Sequence, residues 1–121
     1  MANSIVFGKS ENFALRIIKL YEYLTAKKKE FIISKQLPRS GTSIGANLAE
    51  AVHGSSNKDF INKLSISQKE CSETLFWLRL LKKSDILTEK QFDDIYEDGD
   101  EIGKMLASII KTIKKKKTHN S

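Results

Sequence analysis

Proline and cysteine occur once each in 121 residues, and glycine only six times. A chain so poor in breakers is ill suited to many short strands and tight turns and favours a few long helices. With Cys71 alone, no internal disulfide can form. It sits in a helical pattern as a small core residue. No stretch approaches the roughly 20 consecutive apolar residues of a membrane helix. The N-terminal MANSIVFGKSEN lacks the basic start and long apolar run of a signal peptide, so a cytoplasmic protein is expected, with no membrane partner. Aromatics make up 8% of the chain, and none is interleaved with the lysine runs. Stacking of bases therefore has no platform, which argues against sequence-specific nucleic-acid reading.

What is present is a globular composition with charge in blocks. Forty per cent hydrophobic residues argues against disorder, and 121 residues suit a single domain spanning 1–121 with one modest core. The first nine residues and residues 115–121 read as loosely ordered. Of the net charge of +6, five positive charges sit at Lys111 and Lys114, Lys115, Lys116 and Lys117. Outside those five, 16 basic side chains face 15 acidic ones, so the body is almost neutral. Seven acids fall between Glu89 and Glu101, and Lys27, Lys28 and Lys29 form a second basic cluster. Such clusters suggest a polyanionic partner. The competing reading is that acids near helix starts and lysines near helix ends favour the helix macrodipole.

Four amphipathic segments follow one another. Ser10 is placed to cap the first, with Phe13, Ile17, Leu20 and Leu24 on one side, fading at the lysines 27–29. The second begins near Ser34, which puts Pro38 in the first turn, and buries Leu37, Ile44, Leu48 and Val52. Gly41, Gly45 and three alanines leave room for a neighbouring backbone. Ser56 and Asp59 have capping-box spacing before a third segment with Phe60, Leu64, Cys71, Leu75, Leu78 and Leu81. Thr88 and Gln91 repeat that spacing before a fourth, with Phe92, Ile95, Ile102, Leu106, Ile109 and Ile113. Gly99 fills the vacant step, where helices would come close. Short connections favour antiparallel neighbours. The fold predicted is all-α, an antiparallel up-down-up-down four-helix bundle.

Polar residues also recur at helical spacing. Arg39, Ser43, Asn47 and Glu50 share a side of the second helix; Lys63, Ser67, Glu70, Thr74 and Trp77 share one on the third, with Glu73 beside it. Facing each other, they would form a structural polar seam that fixes register, largely buried and mutually bonded. A catalytic reading finds no support. Glu50 and His53 give one Glu-x-x-His, but a di-iron bundle needs a second pair and two more carboxylates, so no metal or cofactor is assigned. Ser43 has no histidine base in a recognised pattern. Gly41 and Gly45 do not make a phosphate loop.

The residues Arg39-Ser40, Ser43-Ile44, Asn47 and Ala49-Glu50, with Asp59-Phe60, Lys69-Glu70, Glu73-Thr74 and Trp77-Leu78, closely resemble one pattern. It is that of the bacterial four-helix-bundle proteins first noticed as reading frames inside intervening sequences of large-subunit ribosomal RNA genes. The match is tight over two helices and follows the helix layout over the whole length. Gly45 departs from it, where many members have proline, and Ala51, where many have glycine. The resemblance implies a ring-like homopentamer. It also implies kinship with the accessory protein of diversity-generating retroelements, a basic pentamer that works with a reverse transcriptase and nucleic acid. The tie to ribosomal RNA is one of gene location.

Two non-enzymatic functions are therefore open. One is a nucleic-acid-binding accessory factor, for RNA or DNA, using Lys111, Lys114 to Lys117 and Lys27 to Lys29 against phosphates. The other is a homo-oligomeric scaffold for a protein partner. Tyr96, Gly103 and Ile110 beside the core stripe of the fourth helix, with Ile66 and Phe76 on the third, widen the apolar sector, as burial by another subunit would require.

Overall fold

The computed structural model describes residues 2–54 and 56–119, with side chains over 4–54 and 56–116. Four helices account for nearly all of it: α1 (Ala2–Ala26), α2 (Ile33–Val52), α3 (Asn57–Lys83) and α4 (Glu89–His119). No strand occurs among the described residues. Each helix packs on two others, α1 on α2 and α4, and α3 on α2 and α4, as a four-helix bundle.

The core is the set of apolar stripes read from the spacing. Phe13, Ile17 and Leu24 of α1 meet Leu37, Ile44 and Leu48 of α2. Leu64, Cys71, Leu75, Leu78 and Leu81 of α3 join Phe92, Ile95, Ile102 and Leu106 of α4. Two expectations need correction. Val52 is 61% exposed rather than buried, since α2 ends at that residue. Ile110 is in the core while Ile109 and Ile113 are only partly buried, so the α4 stripe steps by four after Leu106.

The first helix begins at Ala2, so residues 2–9 are helical rather than loose. Val6 buries the same stripe two turns before Phe13, and that burial draws the first turns into the bundle. Ser10 is consequently interior, not a cap: its hydroxyl is buried and donates to the Phe7 carbonyl at 2.7 Å. It fits because Gly45 lies opposite, where a Cβ would sit 3.1 Å from Ser10 Oγ. At the other end α4 continues as helix to His119, beyond the expected loosening at 115.

Helix boundaries have identifiable causes. Glu30 caps α2: its carboxylate accepts the amides of Ile32 and Ile33 at 3.0 Å and Ser34 at 2.7 Å. Ser34 Oγ in turn donates to the Glu30 carbonyl. The early start leaves Pro38 inside the second turn, with no N–H to offer the Ser34 carbonyl. Ser56 Oγ accepts from the Asp59 amide at 3.1 Å. Thr88 and Gln91 make both reciprocal bonds of a capping box, at 3.0 and 3.1 Å. After α1 and α3 the chain turns through Lys29 (φ 53°) and Asp85 (φ 62°). Glu30 N–H then bonds the Leu24 carbonyl and Ile86 N–H the Leu81 carbonyl, closing both helix ends with a left-handed residue.

Candidate nucleic-acid interface and polar seam

Between α2 and α3 the buried polar layer is made of hydroxyls. Ser40, Ser67 and Thr74 have no exposed surface. Ser67 Oγ donates to the Ile44 carbonyl at 2.8 Å, tying the two helices directly. Ser40 Oγ and Thr74 Oγ1 are 2.8 Å apart, and each also lies within bonding distance of its own helix, at the Gln36 and Glu70 carbonyls. One of the two hydroxyls therefore donates to the other, and the other donates to its backbone.

Of the charged members of the predicted seam, Arg39, Glu50, Lys63 and Glu73 sit at its rim, which corrects the expectation that they are largely buried, while Glu70 is mostly enclosed at 23% exposure. The Arg39 side chain is 52% exposed and pairs with Glu73, with Glu70 Oε2 3.7 Å from its Nη1. That second separation allows charge attraction but is too long for a hydrogen bond. Glu50, 59% exposed, accepts from Lys63 at 3.1 Å. Ser43 and Asn47 bond within α2, to the carbonyls of Arg39 and Ser43, rather than across to α3. Trp77 is half-buried, edge-on to Phe76 at 5.1 Å. Its buried Nε1 has no hydrogen-bond partner, nor has Glu70 Oε2. The arrangement follows from cost. Short hydroxyls fit between close helices and find acceptors there, whereas a buried charge is expensive and a long side chain can carry its charge to water.

The basic groups form two separate clusters. Lys27, Lys28 and Lys29 are exposed at the α1–α2 connection. Lys111, Lys114, Lys115 and Lys116 are exposed on the last turns of α4, and the side chain of Lys117 lies outside the described residues. Arg16 of α1 bonds Asp94 and Asp98, while Lys9, two turns earlier, bonds Glu101. Along these pairs the α4 partner rises in number as the α1 residue falls. Sequence reasoning missed the α1–α4 ion pairs, because Arg16 and Lys9 lie outside any cluster. Partial burial would lower the Arg16 pKa, but its bonds to Asp98 and Asp94 outweigh that and raise it. Lys9 is likewise raised by its bond to Glu101, and Lys104 by its bond to Asp100.

Three other features were candidates for chemistry. Burial pushes the Cys71 thiol up to about 11, with the Asp100 charge adding to it, and Cys71 Sγ donates to the Gly99 carbonyl at 3.2 Å. This is an inert packing thiol. His53 closes the C-terminus of α2 and is exposed, and no group of three His, Cys, Asp or Glu side chains arranged for a metal occurs among the described residues. An open groove of about 800 Å³ runs along Phe7, Ala51, Val52 and Phe60 where α1, α2 and α3 meet. No described helix is long and apolar enough to cross a membrane.

Tyr96, Gly103 and Ile110 prove to be covered by the bundle itself, correcting their reading as a second apolar face. Ile110 is 7% exposed, Gly103 faces Cys71, and Tyr96 stacks on Phe92 at 4.7 Å and accepts from Arg79 at 3.0 Å. Ile66 and Phe76 do remain exposed, joined by Leu15, Ile18 and Tyr21 on α1, which the sequence did not single out.

α2 and α3 bring several of the paired motif residues together, Arg39 with Glu73 and Ser40 with Thr74 among them, and comparison with known proteins points the same way. Among curated proteins none shows significant similarity to the chain. A solved structure from Bacteroides thetaiotaomicron, a protein of unknown function from the S23 ribosomal protein family, is 50% identical, with a TM-score of 0.90. The match covers 92% of this chain and 99% of that one. The model of the 23S rRNA-intervening sequence protein family matches residues 2–108, which takes in all of α1, α2 and α3 and most of α4. By that match, and by the residues that α2 and α3 bring face to face, the chain belongs to the 23S rRNA-intervening sequence protein family.

Proposed function

We propose that this protein is a non-enzymatic accessory factor that binds nucleic acid, RNA first, through the lysines of the last turns of α4, as a ring-like homo-oligomer. The observation that carries this reading is the exposure of Lys111, Lys114, Lys115 and Lys116 on a helix that outruns α1. Lys9 bonds Glu101, yet α1 begins at Ala2 while α4 continues to His119, so the lysines project beyond the level of the α1 start. Pairings such as Arg39–Glu73, Ser67–Ile44 and Lys63–Glu50 fall in number on α3 as they rise on α2. This register supports an up-down-up-down bundle. Clustered, solvated lysines attract phosphates by charge and counterion release without reading bases. Lys27 to Lys29, at the other end, would be a separate contact.

Leu15, Ile18 and Tyr21 on α1 with Ile66 and Phe76 on α3 support burial by another subunit, and a homopentamer is the assembly proposed. They also favour the second reading, a scaffold for a protein partner. The test is titration of labelled RNA and DNA into the intact protein and a form ending at Thr112. Binding that weakens strongly in the shortened form supports the tail as the element; equal affinity removes it. Binding by neither form favours the scaffold.

A further inference from the structure

The outer face of α4 carries an ordered charge pattern that the bundle does not use and that shares only Lys111 and Lys115 with the proposed nucleic-acid site. Glu89, Asp93, Glu97 and Asp100 recur at steps of four, four and three, which places them in one row along the helix. The same row continues through Lys104 and Ser108 to Lys111 and Lys115, again at steps of four and three. Phe92, Ile95, Ile102 and Leu106 take the opposite side of α4 into the core. Asp94, Asp98 and Glu101 turn toward α1, and Tyr96 and Gly103 toward α3. The row lies between these flanks and faces away from the bundle. Its members are exposed, apart from Asp100, whose side chain is still 42% exposed and bonds Lys104 at 3.0 Å.

Apart from Glu97 and Ser108, which fall opposite Ala107 and Tyr96, the pattern is its own complement when reversed. With a second α4 laid alongside in the opposite direction and centred on Ile102, Glu89 meets Lys115, Asp93 meets Lys111 and Asp100 meets Lys104. All three pairs share that single midpoint, and a two-fold axis makes each of them twice. The macrodipole explains acids in the first turn and lysines in the last, but its influence fades within a turn of each end. Asp100 and Lys104 lie in the middle of α4, beyond that reach, and the macrodipole asks neither for one face nor for a mirrored spacing.

We infer that this face is an interface with a second copy of the chain, formed by antiparallel, isologous pairing of the two α4 helices through Glu89–Lys115, Asp93–Lys111 and Asp100–Lys104. The contact is ionic and therefore weak and screened by salt, unlike the apolar surface proposed for the ring. It engages Lys111 and Lys115, so a polyanion and a second copy compete for the same side chains.

The experiment uses the full chain without nucleic acid. A carbodiimide, which joins a carboxylate to an amine in contact, is applied at about 0.1 M and at about 1 M salt, where the screening length falls from about 10 Å to about 3 Å. Linked peptides are then identified by mass. Within one helix Asp93 and Lys111 are about 27 Å apart, so a link between them must join two copies. The expected result is Asp93–Lys111 and Glu89–Lys115 links at low salt that disappear at high salt. Asp93→Lys alone and Lys111→Glu alone should each lower the Glu89–Lys115 yield several-fold. Combining both in one chain, or mixing the two single variants, should restore it. Both positions are exposed, and circular dichroism verifies that each variant keeps its fold. No inter-copy links at low salt, single reversals without effect, or a combined variant that fails to recover would each overturn the inference. A failure here leaves the RNA titration untouched, since no nucleic acid is present.

Discussion

Replacing Gly99 by alanine sets two well-defined effects against each other. A Cβ there would lie 2.8 Å from Leu75 Cδ2 and 2.9 Å from Phe13 Cζ, where ordinary carbon contacts are about 3.5–4.0 Å. Phe13 is 1% exposed and cannot swing aside. Overpacking of this kind costs about 1–3 kcal/mol, while exchanging glycine for alanine in a helix gains about 1 kcal/mol. Gly103, one turn along the same helix, supplies the control: its added Cβ would meet only Cys71 Sγ, at an ordinary 3.4 Å. The propensity gain is common to both positions, so the difference between the two variants, about 1–3 kcal/mol, isolates the packing cost. At about 4 °C per kcal/mol for a chain of this size, Gly103→Ala should raise Tm by about 2–4 °C. Gly99→Ala should lower it or leave it level. Thermal unfolding followed by circular dichroism measures both. Equal rises in Tm would refute close packing of α4 against α1 and α3 at Gly99.

Three further outcomes follow from the polar contacts. Glu30→Gln should cost about 1 kcal/mol at pH 7 through loss of the α2 cap. Burial alone would raise the Glu30 pKa, but amide bonds from Ile33, Ser34 and Ile32 hold it below its ordinary value of 4.5. Its contribution is therefore present above that value and is lost as pH falls through the folded one, so the variant should show a flatter acid limb in stability against pH. Arg39→Ala should cost only about 0.5–1 kcal/mol and less in high salt, because the Arg39–Glu73 pair is solvated; a loss of about 3–5 kcal/mol in denaturant titration would mean a buried pair instead. Ser40→Ala and Thr74→Val should be non-additive, with a coupling of about 0.5–1.5 kcal/mol in a double-mutant cycle, since each hydroxyl loses the same bond.

The helices were legible in the sequence because their apolar stripes are long and regular and two of their caps use standard chemistry. Ser56–Asp59 and Thr88–Gln91 act at α3 and α4 as their spacing predicted. Boundaries set by tertiary contact were not legible. Ser10 looks like a cap in the sequence, and only the space left by Gly45 makes it an interior residue. Glu30 precedes an ambiguous apolar run, and its capping role depends on the left-handed turn at Lys29. The α2–α3 face was found by periodicity, yet periodicity cannot tell which polar residues are short enough to be enclosed. Ser67 is enclosed, Arg39 and Glu50 reach water, and Ser40, the partner of Thr74, was read only as part of a family motif. The lysine clusters could be counted, but not their separation, which depends on the α1–α4 pairing through Arg16 and Lys9.

The central claim, that the exposed lysines of α4 hold nucleic acid by charge, is tested most directly by the salt dependence of RNA binding. Anisotropy titrations of a labelled single strand are made across a series of salt concentrations, with the intact protein and with a variant carrying glutamine at Lys111, Lys114, Lys115 and Lys116. The account predicts that log affinity falls linearly with log salt, and that the variant's slope is shallower by about 0.7 for each phosphate the lysines engage. Identical slopes for the two proteins, or no binding by the intact protein at about 0.1 M salt, would contradict it.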